Sequence, residues 1–421
     1  MLDLKLIRSE PERIKAALSR RGAAEQVDEL LALDERRRRL LPEIEGARGE
    51  RKRESEKIGA LKKAGEDATE QMEAVRQLKA KLEAMETELE GVDTRLNEVA
   101  ATLPNLPDPT SPDGFTDEDA ELIREVGEIP QFGFEIRDHV DLAGDGIELE
   151  AAAKVSGARF AYLKGDLVML EFALVRWALE RLRAEGHEPV VPPILVREEA
   201  LFGTGFLPGD RDQIYELEKD ELFLAGTSEV PLAGLHAGQI LEADQLPIRY
   251  AGFSSCFRRE AGAAGRDTHG IFRVHQFDKV EMFSFVKPED AASEHERILA
   301  IEEGILAGLG LPYRIVNVAA GDLGGSAAKK YDCEAWIPSQ DRYRELTSCS
   351  NTTDFQARRI GCRYRPGAGA APEFVNTLNG TAIAVGRTII AVLENHQQAD
   401  GTVKVPEALL PYGAPPTIGR G

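Results

Sequence analysis

The 421-residue chain carries 52 Lys and Arg against 73 Asp and Glu, a formal net charge of −21. Its length supports two or three domains with a large core. A hydrophobic share of 42% with 30% charged residues excludes a disordered or fibrous chain. No apolar run approaches the roughly 18–20 residues of a membrane span, and the opening MLDLKLIRSEPERI is broken by charge every few residues. A cytoplasmic protein with no membrane attachment is expected.

From Val27 to Ala101 the sequence is strongly helical and contains no aromatic residue. Val75, Leu78, Leu82, Met85, Leu89, Val92, Leu96 and Val99 alternate steps of three and four, an a/d coiled-coil seam. A poorer seam runs through Leu40, Ile44, Ala47, Ile58 and Leu61, and Lys63–Asp67 between the two reads as a tight reversal around Gly65. Two helices of about 35 residues would make a hairpin roughly 50 Å long, projecting from the globular part that follows. Pro42, Gly46 and Gly49 predict a kink or a weaker first helix.

Charge is polarised along this arm. Arg36–Lys63 holds eleven basic residues and five acids, and Glu66–Glu98 holds four and ten. One reading is interhelical pairing on a solvated face. The other is a basic rail for a phosphate backbone, with Arg36, Arg37, Arg48, Arg51, Lys52, Arg53 and Lys57 as contacts. Four prolines between Pro104 and Pro112 then end the helix, and composition shifts to mixed strands, helices and glycine turns. The expected division is 1–106, with the arm over about 27–101, and 107–421.

In the second part, a helix beginning near Phe172 leads to a short strand, His187–Val191, closed by Pro192-Pro193. Ser254–Glu260 and Ile271–Glu281 read as strands of a hairpin around the glycine-rich loop Ala261–Gly270. Alternation puts Arg258 and Glu260 on one face, and Arg273, His275, Phe277, Lys279 and Glu281 on one face of the return strand. A cation, an acceptor and an aromatic together suit a phosphate, a base edge and a base plane. Glu345 and Ser348 supply hard oxygen ligands for Mg²⁺ carried on a nucleotide, but joint use needs a bulge. Asn379–Arg387 is a small-residue strand passing into a helix from Thr388, with Arg387 near an end that favours anions. The four cysteines, Cys256, Cys333, Cys349 and Cys362, form no CxxC pair and read as reduced core thiols.

At these residues the sequence resembles the bacterial-type seryl-tRNA synthetases, members of the class II aminoacyl-tRNA synthetases, over nearly the whole chain. The helix and strand ending at Pro192-Pro193, the Phe-Arg-x-Glu hairpin, and the segment at Arg387 (with Ala384 in place of a glycine) match, in that order, the three class signatures. TSE at Thr227–Glu229, HQFDKVE at His275–Glu281 and SCSNTTDFQARR at Ser348–Arg359 match the seryl branch. The resemblance implies an α+β fold: a coiled-coil hairpin, then an antiparallel sheet of six or seven strands flanked by helices, dimeric through the first signature.

It also implies ATP and Mg²⁺, L-serine, tRNA(Ser) and tRNA(Sec) as partners of a serine–tRNA ligase. Carried over by position, Arg258 and Arg387 are the catalytic cations, on the α-phosphate and near the γ-phosphate. Glu260 and Phe277 hold adenine, with Arg387 opposite Phe277, and Arg259, Val274, Leu346 and Thr347 border the ATP. Glu345 and Ser348 ligate the metal. Thr227, Ser228, Glu229, Arg258, Glu281, Asn379 and Thr381 surround serine. A relative that loads an amino acid onto a carrier-protein thiol would lack the long arm, and a non-catalytic coiled-coil protein would not need the arginine–glutamate hairpin.

Overall fold

The computed structural model describes residues 1–262, 265 and 267–419. The chain separates into two compact units, one spanning Leu2–Leu103 and the other running from Pro104 onward together with Met1.

Two long antiparallel helices dominate the first unit, α1 (Glu25–Ala64) and α2 (Thr69–Thr102). Gly65 ends α1 in the left-handed region at φ 73°, and its N–H closes onto the carbonyls of Leu61 and Lys62. Asp67 then accepts from the Thr69 N–H at 3.0 Å, satisfying a donor at the start of α2. The seam is uneven. Leu40, Ile44 and Ala47 pack on Leu82 and Met85 in a buried cluster, whereas Ile58, Leu61, Val75 and Leu78 are half-buried. Helix α1 continues unbroken through Pro42, which sits on the exposed side between buried Leu40 and Ile44.

The charge polarity of the arm is resolved in part by pairing. Arg37 meets Asp93 at 2.7 Å, Arg48 meets Glu86 at 2.7 Å, and Arg36 pairs with Glu88. Three of the seven expected phosphate contacts thus bridge α1 to α2, and Lys57 pairs with Glu54 at 2.6 Å within its own helix. Arg51, Lys52 and Arg53 stand exposed.

An eight-stranded sheet organises the second unit. Its strands are β1 (Glu121–Val126), β2 (Glu188–Val190), β3 (Ile248–Phe257), β4 (Gln276–Val286), β5 (Tyr313–Asn317), β6 (Lys329–Ile337), β7 (Arg342–Asn351) and β8 (Asn376–Ala384). The order is β1-β5-β6-β7-β8-β4-β3-β2. Every pairing is antiparallel except β2 with β3, so the sheet is one strand wider than expected and mixed at one edge.

Helix α3 (Asp166–Ala184) buries Leu170, Leu174, Trp177, Ala178 and Leu182, a stripe at helical spacing. It starts six residues before Phe172, immediately after Gly165 at φ 59°. Helix α4 (Ala291–Gly308) packs against β7 and β8. Helix α5 (Val385–Asn395) begins three residues before Thr388, which puts Arg387 inside its first turn. All four cysteines are buried and unpaired. Among the described residues no helix is long and apolar enough to cross a membrane.

The expected bulge is present. On β7, Thr347 faces Cys333 while Glu345 faces Glu334, so Leu346 is the extra residue. Strand β8 has a tighter constraint at Gly380. A Cβ there would lie 2.4 Å from Ile298 Cγ2 of α4 and 2.7 Å from the buried Glu302 carboxylate. Gly380→Ala is expected to lower unfolding stability by about 1–3 kcal/mol, through overpacking of α4 against the sheet, as read by urea denaturation.

Candidate active site

Strand β3 stops at Phe257, and Arg258, Arg259 and Glu260 follow outside any strand, with Glu260 at φ 49°. Strand alternation therefore does not relate Arg258 to Glu260, nor Arg273 and His275 to β4, which begins at Gln276. Arg258, Glu260 and Arg273 nevertheless face one cavity of about 430 Å³, because the backbone turns there rather than continuing straight. Phe277, Lys279 and Glu281, at alternate positions of β4, line the same cavity. The bulged stretch Glu345–Ser348, Asn379 and Thr381 of β8, and Arg387 complete the wall.

Guanidinium groups from distant parts of the chain converge here. Arg258 lies over the Phe277 ring at 5.3 Å and donates from Nε to the Gly226 carbonyl at 3.2 Å. Arg387 donates to the Glu345 carbonyl at 2.8 Å and approaches its carboxylate at 3.3 Å. Lys330 reaches Asp332 at 2.8 Å and Glu345 at 3.7 Å. Burial alone would push the Glu345 carboxyl up, but Lys330, Arg387 and Arg258 outweigh it and hold the group at about 2.

Acid and amide groups gather beside these cations. Glu229 is buried and accepts from Gln356 Nε2 at 2.7 Å and from Asn379 Nδ2 at 3.1 Å. Its desolvation, reinforced by the nearby Glu281 carboxylate, raises its pKa to about 7. Lys279 donates to Thr227 Oγ1 at 2.7 Å and forms an ion pair with Glu281, while Thr381 donates to Glu281 at 3.4 Å.

Several expected placements differ. The Arg387 guanidinium sits 4.6 Å above Phe272, so it is Arg258 that occupies a face of Phe277. Arg259 turns onto the Tyr215 ring at 5.5 Å and does not line the cavity. Ser228 is buried against Ser254, with the two hydroxyls 2.7 Å apart, also away from the cavity. Glu260 is engaged by Arg273 in an ion pair. Among the groups that sequence reasoning left out of the site, Arg273 and Lys279 had a signal in their alternation with Phe277 and Glu281, and Gln356 lay inside the matched Ser348–Arg359 run. Phe272 and Lys330 had none.

Among the described residues no cluster of three or more His, Cys, Asp or Glu side chains forms a metal cage. Glu345 with Ser348 is a two-oxygen set, which suits an ion that arrives with a phosphate chain bearing its own ligands.

An antiparallel sheet that brings an arginine–glutamate turn and a helix-start arginine to one cavity defines the class II aminoacyl-tRNA synthetase core. Residues 214–396 match the family described as "tRNA synthetase class II core domain (G, H, P, S and T)", and residues 1–107 match "Seryl-tRNA synthetase N-terminal domain". The serine–tRNA ligase of Streptomyces coelicolor is 50% identical over 418 residues, covering 98% of this chain and 97% of that protein. A crystal structure of seryl-tRNA synthetase from Pyrococcus horikoshii complexed with ATP superposes with a TM-score of 0.93 at 42% identity over 100% of both chains. The cytoplasmic serine–tRNA ligase of Naegleria fowleri in complex with AMP gives 0.88 at 30% identity, over 100% of this chain and 99% of that one. The chain belongs to the seryl-tRNA synthetase family, and its reaction is the ATP-dependent joining of serine to tRNA.

Burial of Glu229 has a consequence for stability. Its pKa rises from 4.5 to about 7, so the folded state binds a proton that the unfolded state has released between those values. The resulting contribution is lost as pH rises through 7, on the order of 3 kcal/mol across the window. Glu229→Gln should make that part of the stability profile shallower, with the remaining slope left to Asp332 and Glu171, as measured by urea unfolding between pH 5 and pH 8.

Proposed function

We propose that Arg258 and Arg387 are the fixed cations of serine activation and that the surrounding residues divide between ATP and serine. The convergence of these two arginines on one cavity carries this reading. Serine's carboxylate attacks the α-phosphorus of ATP in line, forming the seryl-adenylate and expelling pyrophosphate. Attacker and target are both anionic, so fixed positive charge and alignment matter more than an acid or a base. Arg258 serves the α-phosphate and the carboxylate, and Arg387 the γ-phosphate. Phe277 holds the adenine ring, Glu260 its amino group, and Val274, Leu346 and Thr347 border the nucleotide.

Arg387 is paired with Glu345 and Arg273 with Glu260. Both pairs exchange partners when the nucleotide enters. Mg²⁺ arriving with ATP would be held by Glu345 and Ser348 and would neutralise phosphate charge. Glu229 lies on the substrate's amino side, and Thr227, Glu281, Asn379 and Thr381 surround its side-chain hydroxyl. In the second step the 3′-hydroxyl of the terminal tRNA ribose attacks the mixed anhydride.

The arm is the proposed docking surface for tRNA(Ser), with tRNA(Sec) following by the same resemblance, and it reads shape and backbone. Arg51, Lys52 and Arg53 are the foremost contacts. Arg36, Arg37, Arg48 and Lys57 contribute by exchanging exposed pairs whose own worth is small. Dimerisation through the first signature is supported by Met169 and Phe172 on α3 and by Val191 after β2, apolar side chains 49%, 61% and 81% exposed. A second copy is the proposed cover. The cytoplasm is the proposed setting.

Amino-acid-dependent pyrophosphate exchange across serine, threonine, alanine and glycine tests the substrate. Exchange with another amino acid but not with serine would overturn it. Arg258→Ala and Arg387→Ala should each reduce exchange by about 100-fold or more. Deleting Val27–Ala101 should abolish tRNA charging and spare exchange; joint loss would refute the division of labour. Replacing Arg51, Lys52 and Arg53 with Gln should weaken tRNA binding and make the salt dependence shallower by about one unit of slope per lost contact.

A further inference from the structure

Lys279 is a buried cation in the substrate cavity that no step above uses. Its ammonium joins two cavity groups from different elements. It donates to Thr227 Oγ1 at 2.7 Å, in the segment leading into the helix Glu229–Gly234, and it pairs with Glu281 Oε2 two residues along its own strand. Thr227 Oγ1 also accepts the backbone N–H of Glu229 at 3.2 Å. A hydroxyl has one proton and two lone pairs. With both lone pairs taken, Thr227 can only donate to a ligand. Glu281 Oε2 in turn takes Lys279 and, at 3.4 Å, the Thr381 hydroxyl, which leaves Oε1 to accept.

We infer that Lys279 is a positioning residue for substrate choice: it fixes Thr227 as a donor and Glu281 as an acceptor, a pair matched to an alcohol. This rests on the reading of the cavity as the serine site. A serine hydroxyl accepts from the first group and donates to the second. An alanine methyl satisfies neither and leaves two buried polar groups unpaired, the situation that produces strong rejection. Without the ammonium, the Thr227 hydroxyl is free to rotate and accept, and Glu281 faces Glu229 with no intervening cation. The polarity that distinguishes an alcohol from a methyl is then lost.

The experiment is pyrophosphate exchange with serine and with alanine in the full-length protein and in Lys279→Met and Lys279→Gln. Lys279→Met should lower the serine-to-alanine ratio of kcat/KM by at least about tenfold, with the KM for ATP held within about twofold. Lys279→Gln keeps a donor for Thr227 and should fall between Met and the natural residue. Should Lys279→Met fail to fold, a lowered ratio in Lys279→Gln carries the test. Equal losses for serine and alanine, leaving the ratio unchanged, would overturn the inference and reduce Lys279 to a structural counter-ion. Absence of serine exchange in the unsubstituted protein would overturn the function reading itself.

Discussion

Joining a carboxylate to a triphosphate requires two anions to approach within bonding distance, and water screens them poorly once a cleft closes around them. In the proposed reading Arg258 and Arg387 meet this requirement, and Arg273 and Lys330 add positive charge to the same cavity. Such a concentration of cations would repel itself if left unbalanced. The cavity balances it with its own carboxylates, Arg387 against Glu345, Arg273 against Glu260 and Lys330 against Asp332. Each pair holds an arginine or lysine near the position that the proposed nucleotide needs. Lys330, Arg387 and Arg258 together hold the Glu345 carboxyl below the ordinary carboxylate range.

The fold supplies these charges from separate elements, which explains why an eight-stranded sheet is needed to carry a small site. Arg258 follows β3, Glu281 and Phe277 stand on β4, Glu345 and Ser348 on β7, and Arg387 in the first turn of α5. Antiparallel register brings β4, β7 and β8 side by side. The single extra residue at Leu346 changes how the following residues of β7 are presented. Behind the sheet, Gly380 admits Ile298 and Glu302 so closely that α4 fixes the height of β8.

The arm solves a different electrostatic problem. Its two helices carry opposite charge excesses, and the pairs Arg37–Asp93 and Arg48–Glu86 join them across the seam. Exposed pairs contribute little stability each. Their value is register and antiparallel orientation, while the buried cluster of Leu40, Ile44, Leu82 and Met85 supplies most of the cohesion. Arg51, Lys52 and Arg53, nearer Gly65 where the seam is only half-buried, stand exposed and suit the proposed contact with a phosphate backbone.

The helical hairpin, its turn at Gly65, the cluster of strand motifs and the need for a bulge on β7 were legible in the sequence. Each follows from local rules, namely heptad spacing, glycine's freedom at positive φ, and alternation along a strand. Local rules failed where the backbone left regular structure. Arg258 and Glu260 lie beyond the end of β3, so alternation could not predict their common cavity, nor that Arg259 would turn to Tyr215. Partner choice was equally hidden. That Gln356 would reach Glu229, that Phe272 would lie under Arg387, and that Lys279 would tie Thr227 to Glu281 depend on contacts between elements far apart in the chain. Periodicity and residue chemistry thus determined which elements form and which groups are available, while packing alone decided which of those groups meet, because side-chain contact is set by the separation of elements in space.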